Sequence, residues 1–116
     1  MVMEDLTIGS RTIDGILVVD LNGDLDAFTV QEVKKHLVKL MEQGYRKIVV
    51  NFSKVGYINS TSIGVLAGRL RDIKSLKGDM VLAELSDRVN RILTLVGGKR
   101  LFNIFDTEQE AVSNLA

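Results

Sequence analysis

The sequence predicts one α/β domain in which a mixed β-sheet packs against about four helices. The first observation is residues 46–85, where two apolar runs flank a stretch whose apolar residues recur every three or four positions, as in a βαβ unit. The second is the order of the other segments: strand, strand and helix before this unit, then helix, short strand and helix after it. The third is size, because 116 residues with 46% hydrophobic content can bury one core. We expect a single domain over residues 1–116.

The amino-terminal part predicts a β-hairpin. Residues 6–8 alternate apolar with polar, residues 16–21 are mostly apolar, and Asp14 and Gly15 between them form a typical tight-turn pair. The loop that follows carries Asp24 and Asp26. Two carboxylates are too few for an oxygen-ligated metal site, so we interpret them as groups that cap and solvate the loop.

A helix is predicted next. Thr29 and Glu32 have the spacing of a capping box, which indicates that the helix begins at Thr29. Gly44 marks its end. The buried stripe at helical spacing consists of Val33, Leu37, Leu40 and Met41.

The central βαβ unit consists of a strand at residues 47–52, an amphipathic helix and a second strand at residues 80–85. Gly78 is placed to end the helix in a left-handed cap. The predicted inner face of the helix consists of Ile63, Leu66, Ala67, Leu70 and Ile73.

The carboxyl-terminal part predicts two more helices. Ser86 caps the first, which Gly97 and Gly98 end, and Thr107 with Glu110 forms a capping box that opens the second. Residues 101–105 between them are a short apolar segment. The predicted inward residues are Val89, Ile92, Leu93 and Val96 in the first helix, and Ala111, Val112 and Leu115 in the second.

Composition argues against several classes of function. Fifteen basic and fifteen acidic residues give a net charge of zero, which does not favour nucleic acid or an anionic membrane as a partner. Cysteine is absent, which excludes a disulfide framework, a thiolate metal site and a catalytic thiol. The start has no basic region followed by a long apolar stretch, and no run approaches the roughly 18 apolar residues of a membrane span. We expect a soluble, cytoplasmic protein.

The sequence offers little for catalysis. His36 is the only histidine, lies on the first predicted helix without an acid nearby, and is interpreted as partly exposed surface. The Gly-Gly-Lys-Arg run at residues 97–100 follows a helix, whereas a phosphate-binding loop precedes one. We expect no catalytic residue, no metal and no cofactor. A small nucleotide-binding or hydrolytic domain stays as an alternative, which nucleotide titration would test.

The polar run of Asn59, Ser60, Thr61 and Ser62 lies where the central helix begins. One interpretation is that one of these residues caps the helix and the others follow. The other is that an exposed hydroxyl there is phosphorylated, because free amides and the positive end of the helix dipole tolerate the charge. Physical reasoning alone leaves both open.

Residues 57–66, Tyr-Ile-Asn-Ser-Thr-Ser-Ile-Gly-Val-Leu, resemble the signature of the STAS-domain anti-sigma factor antagonists, in which an Asp-Ser-Ser/Thr-Gly-Leu-Gly run carries a phosphorylated serine. Residues 23–26 are similar to the family's Gly-Glu-Leu-Asp turn and residues 77–80 to its Gly-Gly-Glu-Met-like turn, and the element order agrees over nearly the whole chain. By position, the phosphorylated serine is Ser60. Asn59 stands where the family has aspartate, and Ser62 where it usually has glycine.

The resemblance implies a non-enzymatic, partner-switching protein. Unphosphorylated, it would bind an anti-sigma factor of the histidine-kinase-like ATPase type and free a sigma factor, and phosphorylation of Ser60 by that serine kinase would release it. A metal-dependent serine phosphatase would reset the state, so ATP and metal belong to the partners. The alternative is a STAS adaptor or scaffold, within a larger signalling or transport complex, that is never phosphorylated, and Asn59 favours it.

The partner surface is predicted at the loops of residues 57–62 and 24–28, which follow strand carboxyl ends and converge on one edge of the sheet if those strands are neighbours. It includes the exposed side of the central helix. The oligomeric state is left open. The predicted contact residues are Asp24, Asp26, Tyr57, Asn59, Ser60, Thr61, Ser62 and Arg69.

Overall fold

A computed structural model describes residues 6–116 and shows a five-stranded mixed sheet with four α-helices in this part of the chain. This confirms the predicted fold class and element order. The predicted domain also included residues 1–5, which lie outside the described residues. The strands are β1 (Thr7–Ile13), β2 (Ile16–Asn22), β3 (Lys47–Lys54), β4 (Asp79–Ala83) and β5 (Ile104–Phe105). The helices are α1 (Thr29–Glu42), α2 (Ser60–Ser75), α3 (Asp87–Leu95) and α4 (Glu108–Leu115), with a 3-10 turn at Gly98–Arg100.

The strands lie in the order β1-β2-β3-β4-β5. β1 and β2 form the predicted antiparallel hairpin, and every later pairing is parallel. Asp14 and Gly15 both have positive φ, 52° and 80°, as a two-residue type I′ turn requires. The carboxyl ends of β2 and β3 therefore meet at the same edge of the sheet.

Both faces of the sheet are covered, which explains why β2 and β3 are apolar almost throughout. Alternate residues of β2 point to opposite sides, so that Leu17 and Val19 join one core and Ile16 and Val18 the other. Helices α1, α2 and α3 pack on the first face. Helix α4 packs on the second through Ala111, Val112 and Leu115.

The predicted end of α2 is correct in place but not in mechanism. The left-handed residue is Lys77, with φ 66°, and not Gly78. Backbone N–H groups of Lys77 and Gly78 donate to the carbonyls of Lys74 and Ile73 at 3.0 and 2.8 Å, which is a Schellman motif. Gly78 is needed for space, because a Cβ there would overlap the Arg46 carbonyl oxygen.

Two further element predictions need correction. Val96 was expected on the inner face of α3, but the helix ends at Leu95 and Val96 is 49% exposed, because Val96 is the C-cap residue and Gly97 turns the chain with φ 72°. The strand predicted at residues 80–85 is β4, which ends at Ala83 because Glu84 turns the chain with φ 60°. Glu84 then accepts the backbone N–H of Glu108 at 2.9 Å, so this turn also holds the start of α4.

Candidate functional site

Two loops, residues 23–28 after β2 and residues 55–59 after β3, are joined by backbone hydrogen bonds. The N–H of Gly23 donates to the Lys54 carbonyl at 3.0 Å, and the N–H of Leu25 donates to the Tyr57 carbonyl at 2.9 Å. Leu25 is fully buried and anchors its loop in the core. The structure thus brings together the two loops that were predicted to converge.

Asp26 starts α1 and corrects the predicted capping box. Its Oδ1 accepts the backbone N–H groups of Phe28 and Thr29, both at 2.8 Å, while Thr29 Oγ1 accepts the N–H of Asp26 at 2.9 Å. The reciprocal pair is therefore Asp26 with Thr29, and not Thr29 with Glu32. Glu32 lies 3.6 Å from Lys35 as a surface ion pair.

The same hydrogen bonds set the charge state of this loop. The backbone N–H of Thr29, followed by that of Phe28, lowers the pKa of Asp26, so that the carboxylate is ionised at neutral pH. Asp26 consequently acts as a capping residue, as the sequence indicated for the loop carboxylates. Asp24 is exposed on the same loop, and its backbone carbonyl accepts the Thr29 hydroxyl at 2.8 Å.

Helix α2 begins with a capping box made by Asn59 and Ser62. Asn59 Oδ1 accepts the N–H of Ser62 at 2.9 Å, and Ser62 Oγ accepts the N–H of Asn59 at 3.0 Å. Ser62 also donates its hydroxyl to the Asn59 carbonyl at 2.8 Å. Ser62, which was among the predicted contact residues, is fully buried in this structure and supports the loop from within.

Ser60 and Thr61 are the first two residues of α2, and both are exposed. The hydrogen bonds of this turn in the described chain use Asn59 and Ser62, which leaves the hydroxyls of Ser60 and Thr61 unengaged. The first turn of α2 contains no acidic residue. Ser60 therefore presents a free hydroxyl at the positive end of a 16-residue helix.

Tyr57 and Arg88 extend this site to α3. The guanidinium carbon of Arg88 lies 5.9 Å from the centroid of the Tyr57 ring, a cation–π contact. Arg88 was not among the predicted contact residues. The available signal was its position two residues after the predicted cap Ser86, since a helix that follows β4 starts at the same edge as the helix that follows β3.

Phe28 is the most exposed large apolar residue of the two loops, at 86%. Together with Tyr57 it gives the site an apolar component beside the charges of Asp24 and Arg88. We call residues 24–28, 57–61 and Arg88 the loop-edge surface.

Arg69 is less accessible than predicted. Its side chain is only 15% exposed and donates to Asp72 Oδ2 at 2.9 Å, on the same helix. Nine residues separate it from Ser60, or about 14 Å along the helix axis. Arg69 is thus a largely buried, paired residue at a distance from the loops.

Within residues 6–116, no group of three or more histidine, cysteine or acidic side chains is gathered in a way that could hold a metal ion. No helix of the described chain is long and apolar enough to cross a membrane.

Comparison with known proteins identifies what this arrangement is similar to. Residues 7–111 match the family model of the STAS domain. The anti-sigma-B factor antagonist of Staphylococcus aureus is 31% identical over 100 residues, which cover 86% of this chain and 93% of that protein.

Solved structures share the fold. A crystal structure from Thermotoga maritima, provisionally assigned as an anti-sigma factor antagonist, has 28% identity and a TM-score of 0.85 over 93% of each chain. The anti-sigma factor antagonist SpoIIAA in its unphosphorylated form has 22% identity and a TM-score of 0.77, covering 93% of this chain and 95% of that one. The phosphorylated form of SpoIIAA, from Bacillus, has 21% identity and a TM-score of 0.70, covering 95% and 100%. At these identities the likeness to SpoIIAA concerns the fold alone.

Proposed function

The chain belongs to the STAS domain family, and on this premise we propose that it is an anti-sigma factor antagonist whose binding is controlled by phosphorylation of Ser60. It acts by binding and not by catalysis. Its partner is an anti-sigma factor of the histidine-kinase-like ATPase type, which is also the serine kinase. A metal-dependent serine phosphatase restores the unmodified form, and the exchange takes place in the cytoplasm.

The observation that carries this proposal is the free, exposed hydroxyl of Ser60 at the start of α2. A phosphoserine adds about 1.5 to 2 negative charges at neutral pH. The positive end of the helix dipole favours such a charge, and Asn59 engages the N–H of Ser62 but leaves those of Ser60 and Thr61 available. The phosphate is therefore accommodated without refolding of the domain.

The loop-edge surface has the composition of a protein-binding site. Exposed aromatic residues and arginine contribute most to the affinity of typical interfaces, and Phe28, Tyr57 and Arg88 provide both. Phosphate on Ser60 would be forced against the docked partner beside these groups. If the phosphate makes the free energy of binding about 3 kcal/mol less favourable, the affinity for the partner falls roughly a hundredfold.

Binding measurements with the candidate kinase test this proposal. Ser60→Ala should bind the kinase equally well with and without ATP, and Ser60→Asp should bind it poorly. Thr61→Ala is the matched control, because it removes the hydroxyl one position further, and it should behave as wild type. Charge reversal at Asp24 should weaken binding and leave the melting temperature nearly unchanged, because surface substitutions usually alter stability by about 0.5 kcal/mol. If Ser60→Asp binds as tightly as the unmodified protein, the phosphate-controlled switch is refuted.

The second candidate is a STAS adaptor that is never phosphorylated. The observation that favours it is Asn59, which leaves the acceptor serine without a neighbouring carboxylate and is itself used as the helix cap. An adaptor would bind its partner equally well with Ser60, Ala or Asp at this position. It would also carry no phosphate when isolated from its own cell.

A further inference from the structure

We propose that the cavity between β1 and the second half of α1 binds a small organic oxyanion, such as a phosphate monoester or a carboxylate. The cavity has a volume of about 440 Å³, which lies within the range of small-molecule sites. Leu17 at the start of β2 lines it, whereas Ser60 follows the opposite, carboxyl ends of the parallel strands. It is therefore separate from the loop-edge surface, and the inference does not depend on the proposed function.

The polar lining of this cavity is rich in hydrogen-bond donors. His36 and Lys39 of α1 and its C-cap residue Gln43 recur at positions i, i+3 and i+7 and so lie on one side of the helix. The residues that provide hydroxyl, amide, imidazole and ammonium groups are Ser10, Thr12, His36, Lys39, Gln43 and Tyr45. No carboxylate is among the described lining residues, so an anion would meet no direct repulsion there.

The cavity also has an apolar floor. Leu17 and Leu40 form its base with little exposed surface, and Tyr45, which is 36% exposed, adds an aromatic ring to the lining. A ligand that is anionic at one end and apolar at the other would use both parts of the cavity. This is why we expect an organic anion in preference to a bare inorganic one.

The one histidine of the chain lies within this cavity. Its Nε2 is 2.6 Å from Ser10 Oγ, a hydrogen bond that joins α1 to β1. Partial burial, followed by the charge of Lys39, lowers the pKa of His36, so the imidazole is neutral at neutral pH. An anion bound between Lys39 and His36 would favour the imidazolium form and raise this pKa.

Other charged groups near His36 are already paired. On α1, Lys35 lies 3.6 Å from Glu32. On β1, the guanidinium of Arg11 is engaged by Asp20 and Glu108. Because binding and protonation are reciprocally linked, a ligand that raises the pKa of His36 also binds more tightly as the pH falls.

NMR of the single imidazole provides the test. The Cε1–Hε1 signal of His36 is followed against pH at constant ionic strength, without ligand and with phenyl phosphate, benzoate or inorganic phosphate. We expect a saturable shift with the organic anions and a pKa of His36 raised by about half a unit, which corresponds to roughly threefold tighter binding to the protonated form. Comparison of phenyl phosphate with benzoate identifies the preferred head group.

Two lysine variants supply the control. Lys39→Gln should abolish the saturable shift, whereas Lys35→Gln, on the same helix but paired with Glu32, should leave it unchanged. A shift that grows with anion concentration without saturating, or an equal loss in both variants, would overturn the proposal. If inorganic phosphate binds as tightly as phenyl phosphate, the assigned role of the apolar floor is wrong.

Discussion

Substitutions at Asn59 separate the structural role of this residue from its effect on phosphorylation. The Asn59 side chain accepts the N–H of Ser62, which belongs to a fully buried residue. Asn59→Ala removes that acceptor, whereas Asn59→Asp keeps it and adds a negative charge at the start of α2. The two variants should therefore change stability in opposite directions.

The expected magnitudes follow from this geometry. Loss of a helix cap costs about 1 kcal/mol, and the burial of Ser62 places this site towards the upper part of the range of about 0.5 to 2 kcal/mol. For a domain of this size, Asn59→Ala should lower the melting temperature by roughly 5 °C. Asn59→Asp should stabilise the protein by about 0.3 to 1 kcal/mol, because the first turn of α2 contains no other acid.

The pH dependence of Asn59→Asp has a definite sign. The helix amino terminus lowers the pKa of an aspartate below its unfolded value of about 3.9. The added stability is therefore present at neutral pH and is lost as the pH falls through the folded pKa. Wild type, with an uncharged asparagine, should not show this component.

Urea denaturation followed by circular dichroism, at pH 7 and at pH 3, measures these differences. Thr61→Ala is the matched control, because it truncates an exposed side chain of the same turn and should stay within about 0.5 kcal/mol of wild type. If Asn59→Ala is as stable as wild type, the Asn59 side chain does not stabilise the start of α2 as a cap. In a kinase assay, Asn59→Asp should also speed the phosphorylation of Ser60, and an equal or slower single-turnover rate would contradict the view that Asn59 acts as a brake.

Three other changes test the site and the fold. Phe28→Ala should weaken partner binding about tenfold in calorimetry while the melting temperature stays constant, and unchanged affinity would remove Phe28 from the interface. Arg88→Gln should weaken binding, whereas Arg91→Gln, which is also exposed on α3, should not; equal effects would reject a specific role for Arg88. The Arg11 guanidinium, followed by the Asn51 amide, lowers the pKa of Glu108. The free energy of unfolding should therefore begin to fall once the pH drops below the unfolded-state pKa of glutamate, about 4.3, and its dependence on pH should be flatter in Glu108→Gln. Identical pH dependence in the two proteins would contradict this.

The sheet and its helices were predictable because the apolar spacing is strong in every long segment. Helix termini were less predictable, because several residues near each end can cap equally well. Thr29 was predicted to cap α1, but the carboxylate of Asp26, three residues earlier, accepts the N–H groups of Phe28 and Thr29 instead. At the end of α2, Lys77 adopts the left-handed conformation and Gly78 is required by the nearby Arg46 carbonyl, a contact between distant parts of the chain.

In the candidate site, too, some features were predictable from the sequence and others were not. The positions of Ser60 and Asn59 at the start of α2 followed from local sequence, since a polar run before an apolar helical pattern marks a helix start. The burial of Ser62, the pairing of Arg69 with Asp72 and the contact of Arg88 with Tyr57 depend on side-chain directions. A single sequence does not determine these directions.

The most direct test of the central claim is to incubate the purified protein with the candidate serine-kinase anti-sigma factors of its own genome and ATP, and to map the phosphate by mass spectrometry. We predict one phosphate, on Ser60, and its loss in Ser60→Ala but not in Thr61→Ala. The modified protein should retain the melting temperature of the unmodified form within a few degrees, because the start of α2 accommodates the charge, and should no longer bind the kinase. Phosphate on Thr61, or an unmodified chain after incubation with each kinase, would contradict the account.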